Sequence, residues 1–107
     1  MCGIAGWVAP PAPALDSGTM KAMLAALAHR GPDGEGQYVT GSASGCQIFL
    51  GHRRLAIIDP RGARQPMRDA EAGLTLVFNG EIYNFRELRA ELAALGHRFA
   101  LDSDTEV

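Results

Sequence analysis

The chain has 107 residues, 47% of them hydrophobic and 21% charged, with a formal net charge of -2. That length suits one small domain around one core. The charge balance gives no electrostatic case for nucleic acid or an anionic membrane, and no apolar stretch approaches the ~18–20 residues of a membrane span. Two cysteines, Cys2 and Cys46, and an N-terminus without a basic stretch leading into a long apolar run fit a reducing cytoplasm with free thiols, although the count leaves a disulfide open. The three histidines lie far apart, and no His/Cys spacing resembles a zinc site, so no metal is expected.

Cys2 follows the initiator methionine and is small enough for Met1 to be removed. It would then carry both a thiol, with an unperturbed pKa of about 8.5, and an α-amine, about 7.7–8.0. Such an amine can take the thiol proton directly or through one water. On the dipeptide alone, a terminal thiol without function is the favoured reading. Residues 4–8 form an apolar run suited to a buried strand, with Gly3 and Gly6 admitting close backbone approach. Pro10-Pro11-Ala12-Pro13 breaks regular structure.

Asp16 or Ser17 caps a helix predicted to run to about His29, with Met20, Met23, Leu24 and Leu27 on its core face. Gly31 suits the position after the helix, and Arg30-Gly31-Pro32-Asp33-Gly34 is a dense turn signal. Residues 37–40 read as a short strand and 41–45 as a hairpin loop. A second strand covers 46–50, and Leu55, Ile57 and Ile58 continue in strand-like composition. Arg54 is either a solvated strand end or a planar fork for a carboxylate. Cys46 reads as a small buried strand residue. Residues 60–71 read as loop, with 65–67 tucking back on the core.

Residues 74–78 give the clearest strand signal. It runs into Asn79-Gly80, usually a hairpin dipeptide, but no alternating partner strand follows. Asn79-Gly80 is therefore a strand-end corner, with an amide side chain and backbone N–H groups suited to an oxyanion. Asn84 with Glu87 forms a capping-box pattern, Tyr83 and Leu88 a hydrophobic staple. Leu88, Leu92 and Leu95 give a buried face, and Gly96 a stop. A further strand is expected over 97–101. Ser103 with Glu106 is a second capping box, so a helix is expected to open there, and the chain is expected to be the front part of a longer protein.

Taken together, Met1-Cys2-Gly3-Ile4-Ala5-Gly6, His29-Arg30-Gly31-Pro32-Asp33-Gly34, His52-Arg53-Arg54-Leu55-Ala56-Ile57-Ile58-Asp59, Phe78-Asn79-Gly80-Glu81-Ile82-Tyr83-Asn84 and Ser103-Asp104-Thr105-Glu106-Val107 span the chain in order. They resemble the glutaminase domain of class II, N-terminal-nucleophile glutamine amidotransferases of the glutamine-hydrolysing asparagine synthetase type. The resemblance implies an α+β fold, the front part of an Ntn-hydrolase-type four-layer αββα sandwich with mainly antiparallel sheets. Residues 1–107 would be the N-terminal portion of that domain.

It also implies roles. Cys2 would attack the side-chain amide of L-glutamine, with Asn79 and the Gly80 N–H as oxyanion hole. Arg54 would hold the α-carboxylate, Glu81 and Asp104 the α-ammonium, and Ile57 and Ile58 would line the pocket. No cofactor belongs to this segment. ATP and magnesium, with aspartate, are implied for a C-terminal synthetase domain absent from this chain, and a homodimer is left open. The segment alone is not expected to be fully active. Amidotransferases with other acceptors, including the polysaccharide- and antibiotic-cluster types, share these motifs. A non-catalytic binding module is the reading from another class.

Overall fold

The computed structural model describes residues 1–13, 16–57 and 62–107. Ile58, Asp59 and the start of the expected 60–71 loop lie outside them.

Three antiparallel strands form the main sheet: β1 (Gly3–Ala9), β2 (Gly34–Gly41) and β3 (Gln47–Arg54), in the order β1-β3-β2. The central strand has the sequence for it. Ile48, Phe49 and Leu50 are strand formers, and Phe49 is 0% exposed. Gly3 pairs with Arg53, and Gly34 with Arg54. The β2–β3 hairpin closes through Gly45 at φ 82, a left-handed conformation that favours glycine. Directly paired residues share a face. Gly3, Phe49 and Gly51 therefore point one way, and Gly36, Tyr38 and His52 the other.

Helix α1 (Ser17–Ala26) covers the first face. Asp16 is its N-cap, accepting the Thr19 N–H at 2.9 Å. Leu24 is fully buried, and a Cβ on Gly51 would lie 2.8 Å from its Cδ2. The helix stops at Ala26, short of His29. Gly31 does not take the left-handed cap conformation expected of it. It packs against the Arg53–Arg54 peptide so closely that a Cβ would overlap main-chain atoms.

On the second face stand β4 (Met67–Asp69) and β5 (Leu74–Leu76), an antiparallel pair. The Arg68 guanidinium lies 4.9 Å from the Tyr38 ring centroid. β4 falls in the stretch expected to be loop, because three residues are too few for a period-two pattern. β5 is shorter than the predicted 74–78. The Phe78 N–H is accepted by Gln65 Oε1, and its carbonyl faces His52 Nε2, so side chains replace a ladder partner.

Helix α2 (Phe85–Ala94) begins after Asn84, which makes no side-chain capping bond. The staple does not form, since Tyr83 is 88% exposed. Phe85 is the helix's buried residue, and Leu95, expected in the core, is exposed. Gly96 ends the helix at φ 98. Its N–H reaches Ala93 O and the His97 N–H reaches Leu92 O, both at 3.0 Å, a Schellman motif.

Residues 97–101 form no strand. The Ala100 and Leu101 N–H groups go to the Glu106 carboxylate, and Leu101 O to Arg89. Residues 103–107 turn without forming a helix. Ser103 Oγ accepts the Thr105 N–H at 3.1 Å, but Glu106 is spent on 100–101. Ile4, Trp7 and Val8 on edge strand β1 are 47%, 42% and 72% exposed, where the sequence suggested a buried strand. The described residues thus form a mixed α+β fold of two antiparallel sheets and two helices. No helix among them is long and apolar enough to cross a membrane.

The Gly31 contact is testable. Gly31→Ala forces a methyl into the end of β3 and should cost about 1–3 kcal/mol, read as a lowered denaturation midpoint in the intact protein. An unchanged midpoint would show that this approach does not constrain the fold.

Candidate active site

Pairing of β1 with β3 brings the N-terminus to the end of the central strand. Cys2 is half-buried there, with Sγ 3.3 Å from Leu55 N and 3.6 Å from Leu55 O. The Leu55 N–H donates to sulfur, and the thiol proton can go to the carbonyl. Arg30 Nε donates to the Cys2 carbonyl at 3.1 Å. Cys2 is therefore held by its strand, its sulfur and its carbonyl, not carried on a loose tail. With Met1 in place, the Cys2 nitrogen is a peptide N–H, while Met1 itself is 75% exposed.

Arg54 closes β3 and its carbonyl accepts the Asp33 N–H at 2.9 Å. Asp33 Oδ2 accepts the Ala56 N–H, also at 2.9 Å. One aspartate thus fixes the backbone on both sides of Leu55. Asp104 is 6% exposed, and its Oδ2 accepts the Ile82 N–H at 3.0 Å. That bond ties the 103–105 turn to the segment following the Asn79-Gly80 corner. At the corner, a Cβ on Gly80 would lie 2.5 Å from Phe78 Cζ, so a side chain there would displace the ring.

These elements enclose a cleft of about 230 Å³ whose walls include Cys2, Arg54, Ile57, Asn79, Gly80, Glu81 and Asp104. Every site residue expected from the sequence lines it, apart from Ile58, which lies outside the described residues. A thiol, one guanidinium and two carboxylates converge with an amide corner. That set can seat a zwitterionic α-amino acid and present an acyl carbon to sulfur. Among the described residues, no three His, Cys, Asp or Glu side chains are grouped to hold a metal ion.

A model of the glutamine amidotransferase domain matches residues 1–107. The chain belongs to that family. Asparagine synthetase (glutamine-hydrolyzing) 3 of Bacillus subtilis (strain 168) is 44% identical over 110 residues, covering 100% of this chain and 17% of its own. The putative asparagine synthetase of Mycobacterium tuberculosis (strain ATCC 25618 / H37Rv) is 43% identical over 119 residues, covering 99% and 18%. Asparagine synthetase (glutamine-hydrolyzing) 1 of Arabidopsis thaliana is 43% identical over 81 residues, covering 76% and 13%. This amidotransferase domain chain spans less than a fifth of the length of these curated relatives.

Several residues that shape the cleft carried no assigned role in the sequence. Arg30, Gly31 and Asp33 signalled only a turn, yet they grip Cys2 and the Arg54 peptide. Leu55 acts through its backbone, which no side-chain pattern reveals. Gln65 and His52 hold the Phe78 peptide at 2.5 Å and 3.2 Å. His52 is 1% exposed. Burial pushes its imidazole pKa down; the Phe78 hydrogen bond opposes this, and the Arg54 charge adds to it.

With the folded pKa below the unfolded value of about 6.5, the unfolded chain takes up this proton first as pH falls. The stability linked to His52 is therefore fully present above about pH 6.5 and is lost as pH falls through the folded value. Denaturation midpoints of the intact protein should drop between about pH 7.5 and 5.5, and His52→Gln should flatten the drop. An equal drop in both proteins would rule His52 out as its source.

Proposed function

We propose that this domain hydrolyses L-glutamine to glutamate and ammonia, with Cys2 as nucleophile after removal of Met1. What carries the reading is the convergence of Cys2, Arg54, the Asn79-Gly80 corner and Asp104 on one cleft. In a family of glutamine amidotransferase domains, glutamine is the substrate such a cleft would take. The exposure of Met1 supports its access to an aminopeptidase.

The Arg54 fork takes the α-carboxylate of glutamine, while Glu81 and Asp104 take the α-ammonium. The side-chain amide then lies toward sulfur. Sγ attacks the amide carbon as the freed Cys2 α-amine takes the thiol proton. Charge develops on the amide oxygen, where the Asn79 side chain and the Gly80 N–H stabilise it. The protonated Cys2 α-amine returns the proton to the leaving nitrogen, the C–N bond breaks, and ammonia departs. Water then adds to the glutamyl thioester, giving up a proton to the same amine. The C–S bond breaks, releasing glutamate and restoring the thiol.

The names of the relatives support asparagine synthesis as the destination for the ammonia; in this reading aspartate is the acceptor, in the remainder of a longer protein. ATP with magnesium would supply carboxylate activation there. Among the described residues no three His, Cys, Asp or Glu side chains are grouped to hold the magnesium, and no step above passes through these groups. The same reading makes residues 1–107 the N-terminal portion of the glutaminase domain, within a four-layer αββα sandwich. The stacking of α1, the three-stranded sheet and β4–β5 supports three of its layers. The exposure of Ile4, Val8, Leu74 and Leu76 (47%, 72%, 65% and 46%) supports apolar faces that further chain would cover.

In the intact protein, Cys2→Ala should abolish glutamate release from glutamine, and a retained N-terminal tag should do nearly the same. Asn79→Ala should lower kcat about 10²–10³-fold, whereas Arg54→Ala should chiefly raise KM. Glutamate release by Cys2→Ala at the wild-type rate would instead favour a non-catalytic role for this segment.

A further inference from the structure

The oxyanion donors sit on backbone that no strand or helix supports. β5 ends at Leu76 and α2 starts at Phe85, so the Asn79-Gly80 corner needs another source of rigidity. It comes from Phe78. The Phe78 N–H donates to Gln65 Oε1 at 2.5 Å, and its carbonyl accepts from His52 Nε2 at 3.2 Å. The Phe78 carbonyl and the Asn79 N–H belong to one peptide plane. Holding that carbonyl therefore orients Asn79 directly, and Gly80 one residue on.

Both holders are themselves fixed. His52 lies in the central strand and is 1% exposed. The Gln65 carbonyl seats against Gly36 of β2 so closely that a Cβ there would overlap it. Gln65 Nε2 also points to Thr105 Oγ1 at 3.5 Å, beside Asp104. Gln65 thus meets β2 through its main-chain carbonyl, and joins the oxyanion corner to the 103–105 turn through its side-chain amide.

We infer that Gln65 and His52 are positioning residues for the oxyanion hole, acting by clamping both backbone polar groups of Phe78. The inference rests on the glutaminase reading above. Neither residue need touch glutamine. An oxyanion hole works because its donors are aligned before charge develops, and a displacement of about 1 Å can cost 10²-fold in rate. Loosening the clamp should therefore lower kcat and leave substrate capture by Arg54, Glu81 and Asp104 in place.

The test uses the intact protein with its N-terminus processed. Gln65→Met removes the acceptor at similar volume, His52→Leu removes the donor, and His52→Gln keeps an N–H donor. Three readouts are compared: steady-state glutaminase kinetics, alkylation of Cys2 by iodoacetamide, and inhibition by glutamate γ-semialdehyde. The Cys2 sulfur adds to the aldehyde carbon of that analogue, the thiol proton passing to oxygen, so its oxygen would occupy the hole.

Gln65→Met and His52→Leu should lower kcat about 10–100-fold, with KM within about threefold. Aldehyde affinity should fall in step, alkylation should hold its rate, and His52→Gln should regain most of kcat. If His52→Leu does not fold, Gln65→Met decides. A kcat within about twofold of wild type in Gln65→Met would overturn the inference. So would a strongly raised KM together with slowed alkylation, which marks general collapse of the site. Absence of glutamate release by the wild-type protein would instead overturn the glutaminase reading, and the inference with it.

Discussion

The site depends on the antiparallel pairing of β1 with β3. Gly3 opposite Arg53 places Cys2 beside the first residue beyond the strand, Leu55, whose N–H and carbonyl both meet the sulfur. The Cys2 thiol and Arg54 thereby share one strand end. The 30–33 turn locks this arrangement. Arg30 holds the Cys2 carbonyl, Gly31 lies flat on the Arg53–Arg54 peptide, and Asp33 holds the Arg54 carbonyl and the Ala56 N–H. Each such bond is worth only about 1 kcal/mol net. Their effect lies in fixing geometry from several directions at once.

The remaining cleft wall is built on irregular backbone, and its polar groups are met by side chains. Gln65 and His52 serve Phe78, Asp104 serves Ile82, and Glu106 serves Ala100 and Leu101. Backbone N–H and C=O groups taken from water need partners. Where strands would have supplied them, these side chains do. The strand exit at Phe78 and the 103–105 turn are consequently coupled through a few polar contacts, and Gln65 touches both.

The main sheet and both helices were legible because apolar runs, Asp16 and Gly96 act locally. Asp16 caps its own helix, and Gly96 takes a conformation that its lack of a Cβ permits. Local signals misled where a distant group offered a better bond. Phe78 left strand geometry for Gln65 and His52. Glu106, read as half of a capping box, went to 100–101. Asn84 occupies the cap position without using its side chain, and Tyr83 points to solvent. β4 has too few residues to show a period.

The motifs in order along the chain were enough to carry the resemblance to a glutamine amidotransferase domain: a cysteine behind the initiator methionine, an arginine at a strand end, an amide-glycine corner and a late acidic residue. These reactive groups are read directly from the sequence. Only the tertiary structure decided that Cys2, Arg54, Asn79, Gly80, Glu81 and Asp104 line one cleft, and that Leu55, Arg30, Asp33, Gln65 and His52 hold it in shape. Their parts are played through backbone atoms and long-range hydrogen bonds. Those contacts depend on which strands pair and which loops meet, a property that no local pattern encodes.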